Sequence, residues 1–363
     1  MRRSPERRVV LADVARIAGT SEATASRALK DDPRIGAATR ASVRAAAVKL
    51  GYVPNAAARS LRARRTHILG LLLDDLADPV HGKVAAGFEE AAAAQGYAVF
   101  MMTGLHDLER EQRALTAFVE HRADGVAVAS CVSDPAEVFA RVPADRVVFV
   151  QPDYPALASG GDPPTRGVLR TDDTAGVVAT VQHLVERGYR RIAYVGPGPG
   201  SGASDTLRRA AAAATLEHLV QRPIRYLDVG VDGWRDASSV ARELADDPPE
   251  AVMCYDDKLA LALLDALRST RVDVPGDMAL AGFDGIPAAH QSLPRLTTVD
   301  VPSVEVGRRA VEMLLASVRA GVMPASEVIS VRLVIGESTP PIPSPVRSRG
   351  TRETVAARRG TAP

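Results

Sequence analysis

Between residues 67 and 283 the chain alternates short apolar runs with longer segments of helical periodicity, and this alternation leaves few folds open. The runs at 67–73, 98–102, 125–129 and 146–150 have strand length and are rich in Val, Leu and Ala. Between them, 84–95 and 109–121 repeat apolar residues at helical spacing. Strands joined through helices run parallel, because the crossover helix returns the chain to the same edge of the sheet. The pattern then restarts, with strands expected at 167–170, 191–196, 224–229, 251–255 and 279–283. Helices are expected at 176–187, 206–220, 238–245 and 258–268. The fold expected is α/β, with two doubly wound parallel-sheet subdomains preceded by a small all-α head. Ligands bind at the carboxyl ends of parallel strands, so the interval between two such units is a natural cleft.

The first sixty residues have a different texture. Leu11, Val14, Ala15 and Ala18 recur at helical spacing, Gly19 ends that helix, and Ser21 is a good N-cap for a second running to about Leu29. The Gly19-Thr20-Ser21 link has the length of a helix-turn-helix turn. A third helix runs from about Ala37 to Leu50, with Gly51 as its stop. Charge follows the same division. Residues 1–65 carry 15 Lys and Arg against 5 Asp and Glu, residues 66–342 carry 25 against 38, and residues 343–363 carry 5 against 1. A head of net charge +10 on a body of −13 suits a polyanion such as nucleic acid, whose counterions Lys and Arg displace.

Other classes are poorly supported. No run approaches the roughly 18 apolar residues of a membrane span, and no apolar segment follows the Arg-rich start, so a cytoplasmic location without membrane partners is expected. Cys131 and Cys254 stand far apart, without His or Cys at metal spacing, which suggests two buried thiols and neither disulfide nor zinc. The segment Gly196-Pro-Gly-Pro-Gly-Ser-Gly follows a strand, but its spacing fits no phosphate loop and its prolines remove N–H donors. No cofactor is expected. As an enzyme the chain offers scattered His residues, no nucleophile elbow, and Asp256 and Asp257 as sequence neighbours rather than an opposed pair.

Two head motifs and several body motifs carry a resemblance. The head reads Leu11-Ala-Asp-Val-Ala-Arg-Ile-Ala-Gly-Thr-Ser-Glu-Ala-Thr-Ala-Ser-Arg-Ala-Leu and continues as Leu50-Gly-Tyr-Val-Pro-Asn-Ala-Ala-Ala-Arg-Ser-Leu. The body adds Arg122-Ala-Asp-Gly-Val, His183-Leu-Val-Glu-Arg-Gly-Tyr, Val274-Pro-Gly-Asp-Met-Ala-Leu-Ala-Gly-Phe-Asp and Pro294-Arg-Leu-Thr-Thr-Val. In this order they resemble the lactose-repressor/galactose-repressor family of bacterial transcription regulators, from Val10 to about Thr339. The resemblance implies an effector-responsive DNA-binding regulator, by default a repressor. It would bind a pseudo-palindromic operator in double-stranded DNA as a homodimer, since the tail lacks leucine heptads for a tetramer.

A helix-turn-helix sets the first residues of its second helix against base edges in the major groove. That places Glu22 and Ala23 at the bases, while Arg27 reaches guanine and is the third specificity position by resemblance. Ser21, Thr24, Ser26 and Thr39 are candidate phosphate contacts. Glu22 has a competing role at the helix N-terminus, where the dipole favours negative charge. Ala25, Gly36 and Lys30 depart from the usual family residues without removing the mechanism. The run from Asn55 through Ala58 to Leu61 resembles the hinge helix, with Leu61 as the wedge that unstacks a base step at the minor groove.

For the body, the resemblance implies a small effector held by loops at the strand ends. Asp74, Asp172, Arg208, Asp256, Asp257 and Asp284 are the polar candidates, and His81 and Trp234 could stack on a sugar ring. Capping of the following helix is the competing role for Asp172 and Asp257. The inventory suits a sugar or polyol, with a nucleobase compound as the alternative. A periplasmic solute-binding protein would share the two lobes but carry a signal peptide in place of the basic head. The divisions expected are a head at 1–52, a linker at 53–65, an effector domain at 66–342 and a disordered basic tail at 343–363. Within the effector domain, subdomain one takes about 66–168 and 299–326, and subdomain two about 169–298 and 327–342.

Overall fold

A computed structural model of the protein describes residues 9–52, 65–153, 164–199, 202–230 and 237–342. Two compact units form, Met1–His67 and Ile68–Pro363.

The first unit contains helices α1 (Leu11–Ile17), α2 (Glu22–Ala28) and α3 (Ala37–Leu50). Gly19 turns the chain between α1 and α2 with φ +65°, a conformation that costs glycine little. Ser21 caps α2 by accepting from the Thr24 N–H at 3.1 Å. Gly51, at φ +62°, closes α3 with a left-handed cap. Val14, Ala15, Ala25, Ala28, Val43 and Ala47 form the core.

The second unit has two lobes. In the first, strands β1 (Ile68–Leu73), β2 (Ala98–Thr103), β3 (Gly125–Ala129), β4 (Val147–Val150) and β5 (Val168–Thr171) alternate with helices α4 (Pro79–Ala94), α5 (Leu108–Glu120) and the short α6 (Pro135–Phe139). In the second, helices α7 (Asp173–Glu186), α8 (Ala203–Val220), α9 (Ala237–Asp246), α10 (Asp257–Leu267) and α11 (Pro287–Gln291) interleave with β6 (Ile192–Gly196), β7 (Arg225–Asp228), β8 (Ala251–Cys254) and β9 (Ala279–Ala281). The chain ends through β10 (Thr298–Asp300), α12 (Ser303–Ala320), β11 (Glu327–Ile329) and β12 (Arg332–Val334).

The first sheet has the order β11-β5-β4-β3-β1-β2 and the second β7-β6-β8-β9. Every pairing in both is parallel, whereas β10 and β12 pair antiparallel. Parallel sheets are covered on both faces, and the cores show it. Leu69, Leu71 and Leu73 of β1 pack with Val84 and Phe88 of α4 and Val306 and Leu314 of α12. Leu72, facing the other way, packs with Leu115 and Phe118 of α5. The second sheet is sandwiched likewise, between α7 and α8 on one side and α9 and α10 on the other.

Pairing places β5 and β11 in the first sheet, on the first-lobe side of the expected 168/169 and 326/327 divisions. Strand β10, which the 298/299 division would cut, pairs with β12. An apolar run discloses a strand's length but not its partner, so pairing assigns such strands where periodicity does not.

Candidate functional site

On the head, α2 turns Ala25 and Ala28 into the core, so the opposite side of the helix faces outward. Ser21, Glu22, Ala23 and Arg27 are exposed there, with Thr24, Ser26 and Thr39 half-buried. The sequence-derived contacts at the start of α2 and at Arg27 therefore share one accessible surface. Ser21 Oγ also lies 3.0 Å from Thr24 Oγ1, which orients two of the candidate phosphate contacts. Asn55, Ala58 and Leu61 lie outside the described residues, as do Trp234 and the tail from 343.

In the second unit the carboxyl ends of both sheets open onto one cavity of about 540 Å³. Asp74 follows β1, Ser130 follows β3, Gln151 and Asp153 follow β4, Tyr255 follows β8 and Asp284 follows β9, so each loop delivers side chains from a different strand end. Five lining residues, Leu105, His106, Ser130, Gln151 and Asp284, take positive φ without being glycine. Such backbone is uncommon and costs free energy, and it concentrates where a site over-determines the chain.

Arg208 organises the second lobe's side of this cavity. Helix α8 presents it, and it is 6% exposed. Its Nε donates to Asp173 Oδ2 at 2.9 Å and its Nη1 to the Tyr255 carbonyl at 2.6 Å. Asp284 Oδ1 stands 3.8 Å from Nη2, and the guanidinium lies 3.7 Å from the Phe283 ring centroid and 4.8 Å from that of Tyr255. Burial is the largest single influence and works against the charge, but Asp173, Tyr255, Asp284 and Tyr194 together outweigh it and hold the guanidinium above its ordinary pKa. Asp173 in turn accepts from Thr171 Oγ at 2.6 Å, and Thr171 exchanges bonds with Gln151 at 2.6 and 2.8 Å. The residue that positions Arg208 is thus Asp173.

The predicted carboxylates separate into two groups. Asp74, Asp256 and Asp284 line the cavity. Asp74 accepts from the His106 N–H at 2.6 Å and pairs with His106 Nδ1 at 2.8 Å, which raises the His106 pKa. Burial raises the pKa of Asp256 and drives that of Asp284 well above the usual carboxylate range. Asp172 and Asp257 are not among the lining residues. Asp172 caps α7 through the Ala175 N–H at 3.0 Å. Asp257, fully buried, accepts from Thr298 Oγ at 2.6 Å and the Ile286 N–H at 2.9 Å, and so ties α10 to the start of β10 and to the residue before α11. Burial pushes its pKa up to about 7. Capping, the competing role, is thus what Asp172 does, whereas α10 is capped by Asp256 and not by Asp257.

His81 lines the cavity in the first turn of α4, with Nδ1 2.9 Å from the Asp75 carbonyl oxygen. Sequence reasoning missed Asp78, Lys258, His106, Asp153, Gln151, Thr171 and Ser204, all of which line the cavity. Asp78 carried a legible signal, since Asp followed by Pro79 is an N-cap before a proline at the first helical position. The Gly-rich loop after β6 directs its Gly198 N–H to the Asp205 carboxylate at 3.2 Å, where a phosphate loop would direct it to a phosphate. Asp205 also accepts from Arg209 at 2.6 Å and from the Tyr194 hydroxyl at 3.0 Å, fastening that loop to α8.

Comparisons with known proteins bear on the fold and the family. Residues 10–55 match the model of bacterial regulatory proteins of the lacI family, and residues 181–339 match a periplasmic binding protein-like domain. The HTH-type transcriptional regulator GalR of Salmonella typhimurium is 31% identical over 324 residues, spanning 88% of this chain and 92% of that protein. A lac repressor dimer bound to operator and the anti-inducer ONPF shares the fold, with TM-score 0.81 at 24% identity over 92% of this chain and 100% of that one. The transcriptional regulator CelR in complex with cellobiose gives a TM-score of 0.64 at 25% identity, covering 91% of this chain and 100% of that one. The chain belongs to the lacI family of bacterial regulatory proteins.

Proposed function

We propose that this protein is a cytoplasmic operator-binding repressor, nucleoid-associated when bound, that acts as a homodimer and responds to a neutral sugar or polyol in the interlobe cleft. The head supplies the exposed face of α2 for the major groove, and Asn55, Ala58 and Leu61 would form the hinge that reaches the minor groove.

The observation that carries the effector class is the cleft's charge. Asp74, Asp75, Asp78, Asp153 and Asp256 line it, against Arg208 and Lys258 as permanent cations, both already paired with carboxylates. Such a wall offers hydroxyl groups many acceptors and repels phosphate. A nucleobase would want a free aromatic face, and among the described lining residues the Tyr255 ring already carries the Arg208 guanidinium while the His81 and His106 rings are tied to Asp75 and Asp74. The relative solved with cellobiose uses ligand chemistry of the same kind.

Thermal melting of the intact protein with neutral pentoses, hexoses and cellobiose, each beside a phosphorylated sugar, tests this. A ligand at 100 times its Kd adds about 2.7 kcal/mol, which a melting curve resolves. At least one neutral sugar or polyol is expected to raise Tm. Stabilisation by phosphorylated sugars alone, or by none of the compounds, contradicts the effector class.

A further inference from the structure

Two helix N-termini meet across the cleft, one from each lobe. In the first lobe Asp78 caps α4, accepting from the Val80 N–H at 2.8 Å. In the second, Asp256 caps α10, accepting from the Leu259 N–H at 2.7 Å, and Lys258 stands in the first turn of the same helix. A cation there faces the positive end of the helix dipole, so the position is locally unfavourable. Compensation comes mainly from the other lobe. Lys258 Nζ lies 2.5 Å from Asp78 Oδ2 and 3.8 Å from Asp256 Oδ2 of its own lobe. Side-chain exposures of 31% for Lys258 and 16% for Asp78 leave the pair only partly screened by water.

Among the described residues, other bonds cross the same gap with backbone partners. The Ser204 N–H donates to Asp153 Oδ1 at 2.9 Å, and Lys83 Nζ donates to the Gly285 carbonyl at 3.2 Å. The pair of Asp78 and Lys258 differs in joining two opposite charges on side chains, each fixed by the start of a helix. Both partners belong to the chain, so the contact needs no ligand to form.

We propose that Asp78 and Lys258 are a clasp that biases the two lobes toward closure before the effector binds, and thereby sets the affinity for it. This rests on reading the cleft as the effector site. A ligand that binds the closed form pays less to close it when that form is already populated, so apparent affinity follows the closed fraction. A neutral ligand leaves the clasp intact, whereas an anionic one would draw Lys258 away from Asp78.

The test is the interlobe distance in the full-length protein without added ligand. Spin labels on Glu120→Cys in α5 and Glu217→Cys in α8 place one probe on each lobe, at exposed positions, while Cys131 and Cys254 are buried. Two variants break the clasp by different routes. Lys258→Met removes the cation, and Asp78→Ser removes the carboxylate while keeping a residue that caps helices well. Each is expected to broaden the distance distribution and move it several ångströms longer, with no further change in the double variant. Unchanged distances in either single variant, or additive lengthening in the double, overturn the clasp. Because no effector is present, failure here is distinct from failure of the effector reading, which the sugar screen decides.

Discussion

Burial gives neighbouring carboxyls in this protein different work. Asp256 and Asp257 are consecutive, yet the first lines the cleft and the second is sealed beneath it against Thr298 and Ile286. Burial holds Asp257 at a pKa near 7, above its ordinary 3.8, so the folded chain keeps a proton that the unfolded chain releases between those values. Its contribution to stability is present below the ordinary carboxylate range and is lost as pH rises through about 7. The parent is therefore expected to lose Tm from pH 4 to 7 relative to Asp257→Asn, whose amide oxygen keeps an acceptor for the Ile286 N–H while its NH2 turns a donor to the Thr298 hydroxyl in place of the acceptor. Parallel melting profiles of the two proteins would contradict this origin. Three carboxylates that follow strands were legible in the sequence, since Asp74, Asp256 and Asp284 all reach the cavity, and so was Arg208 on the helix after the Gly-rich loop. His106, Asp153 and Gln151 were not, because a loop residue shows its direction only once the backbone is built.

Helices read well where their apolar stripe was long and poorly where a cap defined them. Periodicity placed the start of α4 at residue 84, but Asp78 and Pro79 begin it five residues earlier, and that added turn brings His81 to the cleft. Helix α12 escaped the sequence reading altogether, although it packs along α4 more extensively than any other helix does. The contact is close because Gly87 and Gly307 face the partner's backbone. A Cβ at Gly87 would run into Val304, and one at Gly307 into Val84. Alanine raises helix propensity by up to about 1 kcal/mol over glycine, but overpacking a tight contact costs about 1–3 kcal/mol. Gly307→Ala is expected to lower stability in urea denaturation by up to about 2 kcal/mol, the overpacking cost less the propensity gain. An unchanged or higher midpoint would show that the two helices can part without cost.

At the scale of the molecule, the chain crosses between lobes after β5, after β10 and after β11, so three strands join two rigid sheets around one cavity. Alternation of strand and helix predicted both sheets, and motif order predicted the head. Strand partnership decided the crossing points and was not legible, since parallel pairing depends on chain ends far apart in sequence. A cavity walled by both lobes lets a ligand choose between lobe arrangements, which is the physical requirement for coupling it to DNA binding. Arg208 gathers Asp173, Tyr255, Phe283 and Asp284 at the cleft wall, and we propose that the coupling runs through it. The most direct measurement is a fluorescence titration of operator DNA, selected by the protein itself from a random pool, at fixed salt, with and without the sugar that raises Tm most. In the parent, the sugar is expected to shift operator affinity about fivefold or more, and in Arg208→Lys the shift should vanish while sugar-free DNA affinity is retained. An operator affinity indifferent to the sugar in the parent, or a full response surviving in Arg208→Lys, would contradict the account.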